Sequence, residues 1–217
     1  MIRYFLIIIL LISNVLSSQF DLGESELKKG NIQKALKHYR KAVTREDEDA
    51  LFKLGVFYFK GKYVKKDLRK ALDYFKKASS LGHEKAKYNL ALIYSFKNTP
   101  FHNYRLAYNN FLDLAQNSHA KAQFQVGNFL AYGFVEKDYK IAVKWYEQSA
   151  ANGFKLASCS LAYMHANGMG VFPNLGRARV LAQEGFDKNI PLCVKVYKNF
   201  NLHKYHEDKG FKFGFYK

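Results

Sequence analysis

Residues 138–153, DYKIAVKWYEQSAANG, contain a pattern that returns along the chain. Asp138 is followed four residues later by Ala142, and the same order of Asp or Asn and then Ala recurs. The other pairs are Asn31/Ala35, Asp67/Ala71, Asn103/Ala107 and Asn174/Ala178, and the five pairs are separated by steps of 36, 36, 35 and 36 residues. A repeat of this length predicts a solenoid of helix pairs.

Each of these segments has the signals of one amphipathic helix. The leading Asp or Asn can accept a hydrogen bond from a free N–H of the first turn, as an N-cap does. One helical face at i, i+3, i+4, i+7 and i+8 is formed by Ala142, Trp145, Tyr146, Ser149 and Ala150. Gly153 and Gly82 stand where a left-handed residue would end the helix. The recurring small Ala predicts close approach of helix backbones.

Composition and charge limit the function classes. Hydrophobic residues make up 48% and aromatic residues 17% of 217 residues, which excludes a disordered chain. The net charge is +17, and a charge of this size bears on partners and solubility.

The N-terminal segment predicts export. Arg3 precedes the apolar run 4–12, and residues 15–17 offer the small-residue pattern that a signal peptidase recognises. We expect residues 1–18 to be a cleaved signal peptide and the protein to be periplasmic or secreted, without stable membrane insertion; an uncleaved anchor is the alternative. Without Arg3 the mature chain has 34 Lys and Arg against 18 Asp and Glu, a net +16, which predicts an acidic protein partner. Nucleic-acid binding would require the export signal to be wrong.

The period divides the mature chain into two parts. Residues 19–200 form the predicted solenoid, and residues 201–217 form a basic aromatic tail that breaks the period. The second helix of the last full unit is expected to end at Glu184–Gly185, and Cys193 begins a final helix that serves as a cap. In the tail, Phe211, Phe213 and Phe215 alternate with other residues, so a short strand and a mobile segment both fit.

Cys159 and Cys193 are the two cysteines. An exported compartment permits a disulfide between them. They lie two positions out of repeat register, however, and a bridge needs Cα atoms within about 7 Å. The alternative to a disulfide is that both cysteines are small buried residues with free thiols.

The pattern resembles the Sel-one-like repeat, a relative of the tetratricopeptide repeat. One copy consists of Ala50, Leu54-Gly55, Tyr58, Gly61, Val64, Asp67, Lys70-Ala71, Tyr74-Phe75 and Ala78. Further copies contain Val126-Gly127, Gly133, Asp138, Ala142 and Trp145-Tyr146, and Leu161-Ala162, Gly168 to Val171, Asn174 and Arg177-Ala178. The unit beginning at Ala86 departs from the pattern because its loop, residues 96–102, has no glycine.

The resemblance implies an all-α, right-handed α/α superhelix of about four to five helix pairs whose concave face binds proteins. The matched positions are packing and capping positions, so the resemblance implies no catalytic residues. Exported relatives include envelope adaptors, flagellar or polysaccharide assembly factors, and immunity proteins against secreted antibacterial effectors. Cysteine-rich relatives that have been discussed as penicillin binders suggest a β-lactam-directed hydrolase as an alternative, but this chain lacks a cysteine pair in each repeat.

Candidate chemical sites are few. His203 and His206 could share a metal ion if the tail were helical, but a solvated tail is the simpler interpretation. His165 replaces a repeat Tyr and is expected in the core. The sequence has no recognisable catalytic triad and no Gly-rich phosphate loop, so we expect no catalytic, metal or cofactor site and no small-molecule substrate.

The repeat phase predicts the residues that face the concave groove. They are Lys53, Val56, Lys60, Asn89, Leu92, Phe96, Gln125, Asn128, Tyr132, Tyr163 and Asn167. Their aromatic and amide side chains suit a protein ligand, with aromatics as anchors. Phe52, Tyr88 and Phe124 recur in another phase, which favours packing between repeats over recognition. The sequence therefore predicts a non-enzymatic envelope protein that acts as an adaptor or inhibitor, with an immunity protein as its most concrete form and an envelope or flagellar assembly factor as the alternative.

Overall fold

The computed structural model describes residues 18–208 and residue 210, and every regular element in that range is helical. The α-helices are α1 (Gln19–Lys28), α2 (Ile32–Val43), α3 (Glu48–Lys60), α4 (Leu68–Ser80), α5 (Glu84–Ser95), α6 (Tyr104–Gln116), α7 (Ala120–Tyr132), α8 (Tyr139–Ala151), α9 (Lys155–Asn167), α10 (Leu175–Asp187) and α11 (Pro191–Asn199). A 3-10 turn, Leu202–Lys204, follows. None of the described helices is both long and apolar enough to cross a membrane.

The helices pack in sequence as pairs within two compact units, residues 1–93 and residues 94–217. In the first unit α1 packs on α2, α2 on α3, and α3 on α4. In the second unit the pairs are α7 with α8 and α9 with α10, and α11 closes the series against both α9 and α10. The predicted all-α solenoid of helix pairs is confirmed.

Four of the five predicted N-caps form. The side chains of Asp67, Asn103, Asp138 and Asn174 each accept a hydrogen bond from the backbone N–H three residues later, at 2.8–3.0 Å. Asn31 does not cap its helix; its side-chain amide instead donates to Glu26 at 2.8 Å. The local pattern predicted a cap at Asn31, but its backbone (φ −83°, ψ 66°) lacks the extended conformation of the residues that do cap, such as Asp138 (φ −143°, ψ 102°).

This difference between the caps gives a first test. Asp138→Ala removes the acceptor of the Ile141 N–H, and we expect a loss of about 1 kcal/mol in the free energy of unfolding. Asn31→Ala removes only an exposed side-chain contact and should change stability by less than about 0.5 kcal/mol. Urea denaturation of both variants measures the comparison. Equal losses would contradict the assignment of the caps.

Glycines within helices make room for aromatic rings of the partner helix. A Cβ at Gly55 would lie 2.6 Å from the ring of Phe75, and one at Gly127 would lie 2.6 Å from the ring of Tyr146. Side chains therefore cannot be added at these positions without moving a buried ring. The recurring Ala of the paired helices, such as Ala142, is completely buried, as expected for close helix packing.

The predicted aromatic stripe contributes to packing. The ring of Phe52 stacks on that of His83 with centroids 4.4 Å apart. The ring of Phe124 lies 5.8 Å from that of Tyr146 and 5.1 Å from that of Phe154. All three stripe residues, Phe52, Tyr88 and Phe124, are half-buried, which supports the packing interpretation.

A disulfide joins the leading helix of the last full unit to the final helix. The Cα atoms of Cys159 on α9 and Cys193 on α11 are 4.8 Å apart, and the two sulfurs are bonded. The difference in repeat register, which argued against a bridge, therefore does not separate these residues. Both residues are completely or nearly completely buried, at 0% and 1% exposure.

Gly185 accommodates this disulfide. The sequence predicted that α10 ends at Glu184–Gly185, but the helix continues to Asp187, and Gly185 is one of its buried residues. A Cβ at Gly185 would overlap the sulfur of Cys193 and lie 3.2 Å from the sulfur of Cys159. The glycine is therefore a space requirement of the disulfide and does not terminate the helix.

The segment after α11 packs on the first turn of α10. Asp208 accepts hydrogen bonds from the Arg177 guanidinium at 2.9–3.0 Å, and Arg179 donates to the Tyr205 carbonyl at 2.7 Å. Leu202 is completely buried. His203 and His206 are both exposed. The predicted strand or mobile segment at 211–215 lies outside the described residues.

Candidate functional site

A pocket of about 420 Å³ opens on the unit formed by residues 94–217. It is bounded by α7, α8, α9 and α11 and by the loops that follow α7 and α9. Its lining residues are Ala131, Tyr132, Lys137, Tyr139, Tyr146, Ser160, Tyr163, Met164, Met169, Leu192, Lys195, Val196, Asn199 and Phe200. The volume lies in the range of ligand-binding sites in proteins.

Helical periodicity places the walls of this pocket. Ser160, Tyr163 and Met164 lie at i, i+3 and i+4 of α9, which puts them on one face. On α11 the residues at i, i+3, i+4 and i+7 from Leu192 line a neighbouring wall. Each cysteine of the disulfide is the chain neighbour of a lining residue, Ser160 or Leu192. The disulfide therefore fixes the distance between these two walls.

The inner surface of the pocket combines apolar atoms with several hydroxyl groups. Tyr163, Met164 and Phe200 supply aromatic and thioether atoms, and the rings of Tyr163 and Phe200 meet edge to face at 6.3 Å. The Tyr146 O–H donates to the side-chain oxygen of Asn128 at 2.8 Å. Burial raises the pKa of Tyr146, so its phenol stays protonated at neutral pH.

The charge of the pocket is positive. Lys137 and Lys195 are among its lining residues, and no Asp or Glu is. The Lys137 ammonium lies 5.6 Å from the centroid of the Tyr139 ring. Within the described part of the chain, no salt bridge neutralises either lysine. A ligand in this pocket meets apolar atoms and two ammonium groups.

A second pocket of about 340 Å³ adjoins the first through Tyr132. It is lined by Ser95, Tyr104, Gln125, Asn128, Phe129, Tyr132 and Phe134. Asn128 accepts from Tyr146 and donates to Gln125 at 3.3 Å, so hydrogen bonds connect the two pockets. Tyr132 lines both pockets and has 69% of its surface exposed, which makes it the central contact residue of this surface. We call the two pockets together the Tyr132 surface.

Four predicted groove residues come together at the Tyr132 surface. Gln125, Asn128 and Tyr132 line the second pocket, and Tyr132 and Tyr163 line the first. Two others do not take part. Phe96 is exposed but lines neither pocket, and the amide of Asn167 donates to the Tyr163 carbonyl at 2.9 Å.

The remaining predicted groove residues belong to the unit formed by residues 1–93. Lys53 forms a salt bridge of 2.6 Å with Glu24, which also accepts a hydrogen bond from Tyr39. Lys60 is exposed. Val56, Asn89 and Leu92 are half-buried. Neither pocket described above includes these five residues.

Sequence reasoning missed the contribution of the final helix. Leu192, Lys195, Val196 and Asn199 line the first pocket, whereas α11 was interpreted only as a cap. Their i, i+3, i+4 and i+7 spacing was the available signal. Lys137 also lines the pocket, but it lies in the loop after α7, so helical periodicity could not predict its position.

His165 is in the core, as its repeat position predicted. It is 2% exposed on α9, and burial together with the nearby Arg177 lowers its pKa from 6.5 to about 4, against the opposing effects of a backbone hydrogen bond with Phe172 and of Asp208. The imidazole is therefore neutral at pH 7.

This pKa predicts how stability depends on pH. As pH falls from 6.5 to about 4, the unfolded chain binds a proton at His165 that the folded chain does not, so stability falls. The pKa difference of about 2.5 corresponds to about 3 kcal/mol. The His165→Phe variant has no titrating group at this position. Urea denaturation between pH 6.5 and about 4 should therefore show a loss of stability that is about 3 kcal/mol smaller in this variant than in the wild-type protein. Parallel pH profiles for the two proteins would exclude this contribution.

The polar side chains that line the two pockets carry hydroxyl, amide and ammonium groups. No histidine, cysteine or carboxylate is among the residues that line either pocket. Within residues 18–208, the structure holds no group of three or more His, Cys, Asp or Glu side chains placed to bind a metal ion. The arrangement suits binding of an apolar and anionic ligand.

Comparison with solved structures supports the repeat fold. A protective antigen present in uropathogenic Escherichia coli strains, which displays an SLR fold, is 26% identical over 86% of this chain with a TM-score of 0.74. A Sel1 repeat protein from Oxalobacter formigenes is 28% identical over 79% of this chain, with a TM-score of 0.69. This chain spans 41% of the first protein and 71% of the second. A search of curated protein sequences finds no match for this chain.

The family assignment rests on repeats along most of the chain. Sel1 repeats match residues 16–47, 48–83, 120–154 and 155–189. The interval between the second and third matches, residues 84–119, contains the loop without glycine, residues 96–102, where the sequence departs from the pattern. Sel1 repeats are typical of non-catalytic protein-interaction scaffolds. The chain belongs to the Sel1 repeat family.

Proposed function

We propose that this protein is an exported binding protein that acts as an adaptor or inhibitor of an acidic protein in the bacterial envelope. In its most concrete form it is an immunity protein that covers a secreted antibacterial effector. The observation that carries the proposal is the Tyr132 surface, where an exposed tyrosine stands between two pockets.

The chemistry of this surface favours a protein ligand. Tyrosines such as Tyr132 and Tyr163 bury a large area at a small cost in side-chain entropy, and aromatics dominate the energy of protein interfaces. Lys137 and Lys195 add positive charge without a carboxylate in the pocket. Together with the net charge of +16 of the mature chain, this favours an acidic partner and fast, salt-sensitive association.

Export is supported by two features. The first 18 residues have the order of a basic residue, an apolar run and small residues that signal peptides share. The buried disulfide between Cys159 and Cys193 suits an oxidising compartment outside the cytoplasm. Mass spectrometry of the N-terminus of the exported protein tests this part, and an intact Met1 in the cytosol would contradict it.

The partner is tested by affinity capture in the producing organism. The protein is expressed from its full-length gene, recovered from the exported fraction, and used to capture partners at low salt and at about 0.5 M salt. We expect one acidic exported protein that is lost at high salt and lost with Tyr132→Ala. Phe172→Ala is the matched control, because Phe172 is 92% exposed and lines neither pocket.

The other outcomes separate the alternatives. Capture of several envelope assembly components in place of one enzyme would favour the assembly factor. Turnover of nitrocefin by the purified protein would favour the β-lactam-directed hydrolase. Capture that is unaffected by Tyr132→Ala would overturn the proposed surface.

A further inference from the structure

We infer that the 420 Å³ pocket recognises a linear segment of the partner in which an aromatic or branched aliphatic side chain lies next to carboxylates. This inference rests on the proposed function and specifies which part of the partner the site takes. It follows from the volume, the wall chemistry and the charge of the pocket.

The volume and walls suit a large apolar side chain. The pocket is larger than one side chain, so it can receive an anchor together with the backbone on either side of it. Met164 and Met169 provide flexible, polarizable walls that adapt to the shape of an anchor. Leu192 and Val196 present aliphatic atoms from α11, which an apolar side chain can contact.

The two lysines define what lies beside the anchor. Lys137 belongs to the loop before α8 and Lys195 to α11, so positive charge reaches the pocket from two separate elements. A segment with carboxylates next to its anchor would bring acceptors to both ammonium groups. A basic segment would place like charges together at a site with no carboxylate among its lining residues.

A peptide segment fits this pocket better than a nucleic acid strand. A strand carries a phosphate at every nucleotide and needs a continuous basic groove with exposed ring faces. Here two of the fourteen lining residues are basic, and the Tyr163 ring packs against the edge or face of Phe200. The walls combine aliphatic, aromatic and thioether atoms with hydroxyl groups, which match amino-acid side chains.

The test uses a library of random peptides about ten residues long, displayed on phage and selected on the oxidised protein. We expect the enriched peptides to combine an aromatic, Leu or Ile residue with neighbouring Asp or Glu. In the double variant Lys137→Glu, Lys195→Glu, we expect affinity for these peptides to fall at least ~30-fold, which corresponds to about 2 kcal/mol. The matched control is Lys140→Glu, Lys198→Glu, which makes the same charge change on α8 and α11 at exposed residues outside the pocket.

Three results would overturn the inference. One is a lack of enrichment, or enrichment of peptides without carboxylates. Another is an equal loss of affinity in the two double variants, because overall charge would then explain the binding. The third is displacement of the selected peptides by a single-stranded oligonucleotide at similar concentration.

The same variants distinguish this inference from the proposed function. A partner captured through Tyr132 whose affinity is equal for both double variants would leave the proposed function intact and remove the inference. In a second outcome, acidic aromatic peptides bind the pocket but no captured partner depends on Tyr132. That outcome would support the peptide preference of the pocket and remove the proposed function.

Discussion

Replacing Gly185 with alanine is expected to lower the free energy of unfolding of the oxidised protein by about 3 kcal/mol. The added methyl group would overlap the sulfur of Cys193 and lie 2.8 Å from its Cβ. The neighbouring atoms cannot move away easily, because Cys193 is bonded to Cys159 and both are buried. The substitution would otherwise favour a helix, because alanine has the higher helix propensity. Urea denaturation without reductant measures the loss.

A double-mutant cycle separates this clash from a general need for glycine in α10. In a Cys159→Ala, Cys193→Ala background both sulfurs are absent and α11 is free to adjust, so Gly185→Ala should cost less than about 1 kcal/mol. An equal cost in the two backgrounds would show that the glycine serves another purpose.

Removal of the disulfide is expected to have the second large effect. The bridge closes a loop with a sequence separation of 34, and chain-entropy arguments give about 4 kcal/mol for a loop of that length. Cys159→Ala, Cys193→Ala should therefore lower the free energy of unfolding by about that amount. Because the disulfide holds together two helices that line the first pocket, α9 and α11, partner affinity should also fall at least ~10-fold.

Reduction of the wild-type protein provides the control for this prediction. Wild-type protein reduced in mild denaturant and kept in excess thiol, without chemical modification of the buried cysteines, should reproduce both losses. A protein that is less stable but binds its partner with unchanged affinity would contradict the role of the disulfide in fixing the pocket walls.

The predictions that held depend on contacts close in sequence. The caps at Asp67, Asn103, Asp138 and Asn174 each join a side chain to an N–H three residues away, so local pattern is sufficient to predict them. The helix pairs follow from the period for a similar reason, since each unit repeats one local arrangement. Asn31 has the same local pattern but lacks the cap, because its backbone does not have the extended conformation of the other four residues.

The features that sequence reasoning missed depend on residues from different helices. From the sequence alone, Gly185 was interpreted as a helix end. The structure shows that the Cys159–Cys193 disulfide lies beside it and requires the space. Repeat register did not predict that bridge, because equal register in sequence does not fix which residues of two packed helices lie closest. Lys195 lies on a helix outside the matched repeats, so the repeat phase could not predict that it lines the pocket.

The central claim is that the Tyr132 surface binds the partner. The most direct test is to measure, by calorimetry at one salt concentration, the dissociation constant of the purified partner for the wild-type protein and for the Tyr132→Ala and Phe172→Ala variants. The account predicts that Tyr132→Ala weakens binding at least ~30-fold, because it removes the exposed ring between the two pockets. It predicts a change of less than ~2-fold for Phe172→Ala relative to the wild-type protein. Equal affinities for all three proteins, or a larger loss with Phe172→Ala, would contradict the claim that this surface binds the partner.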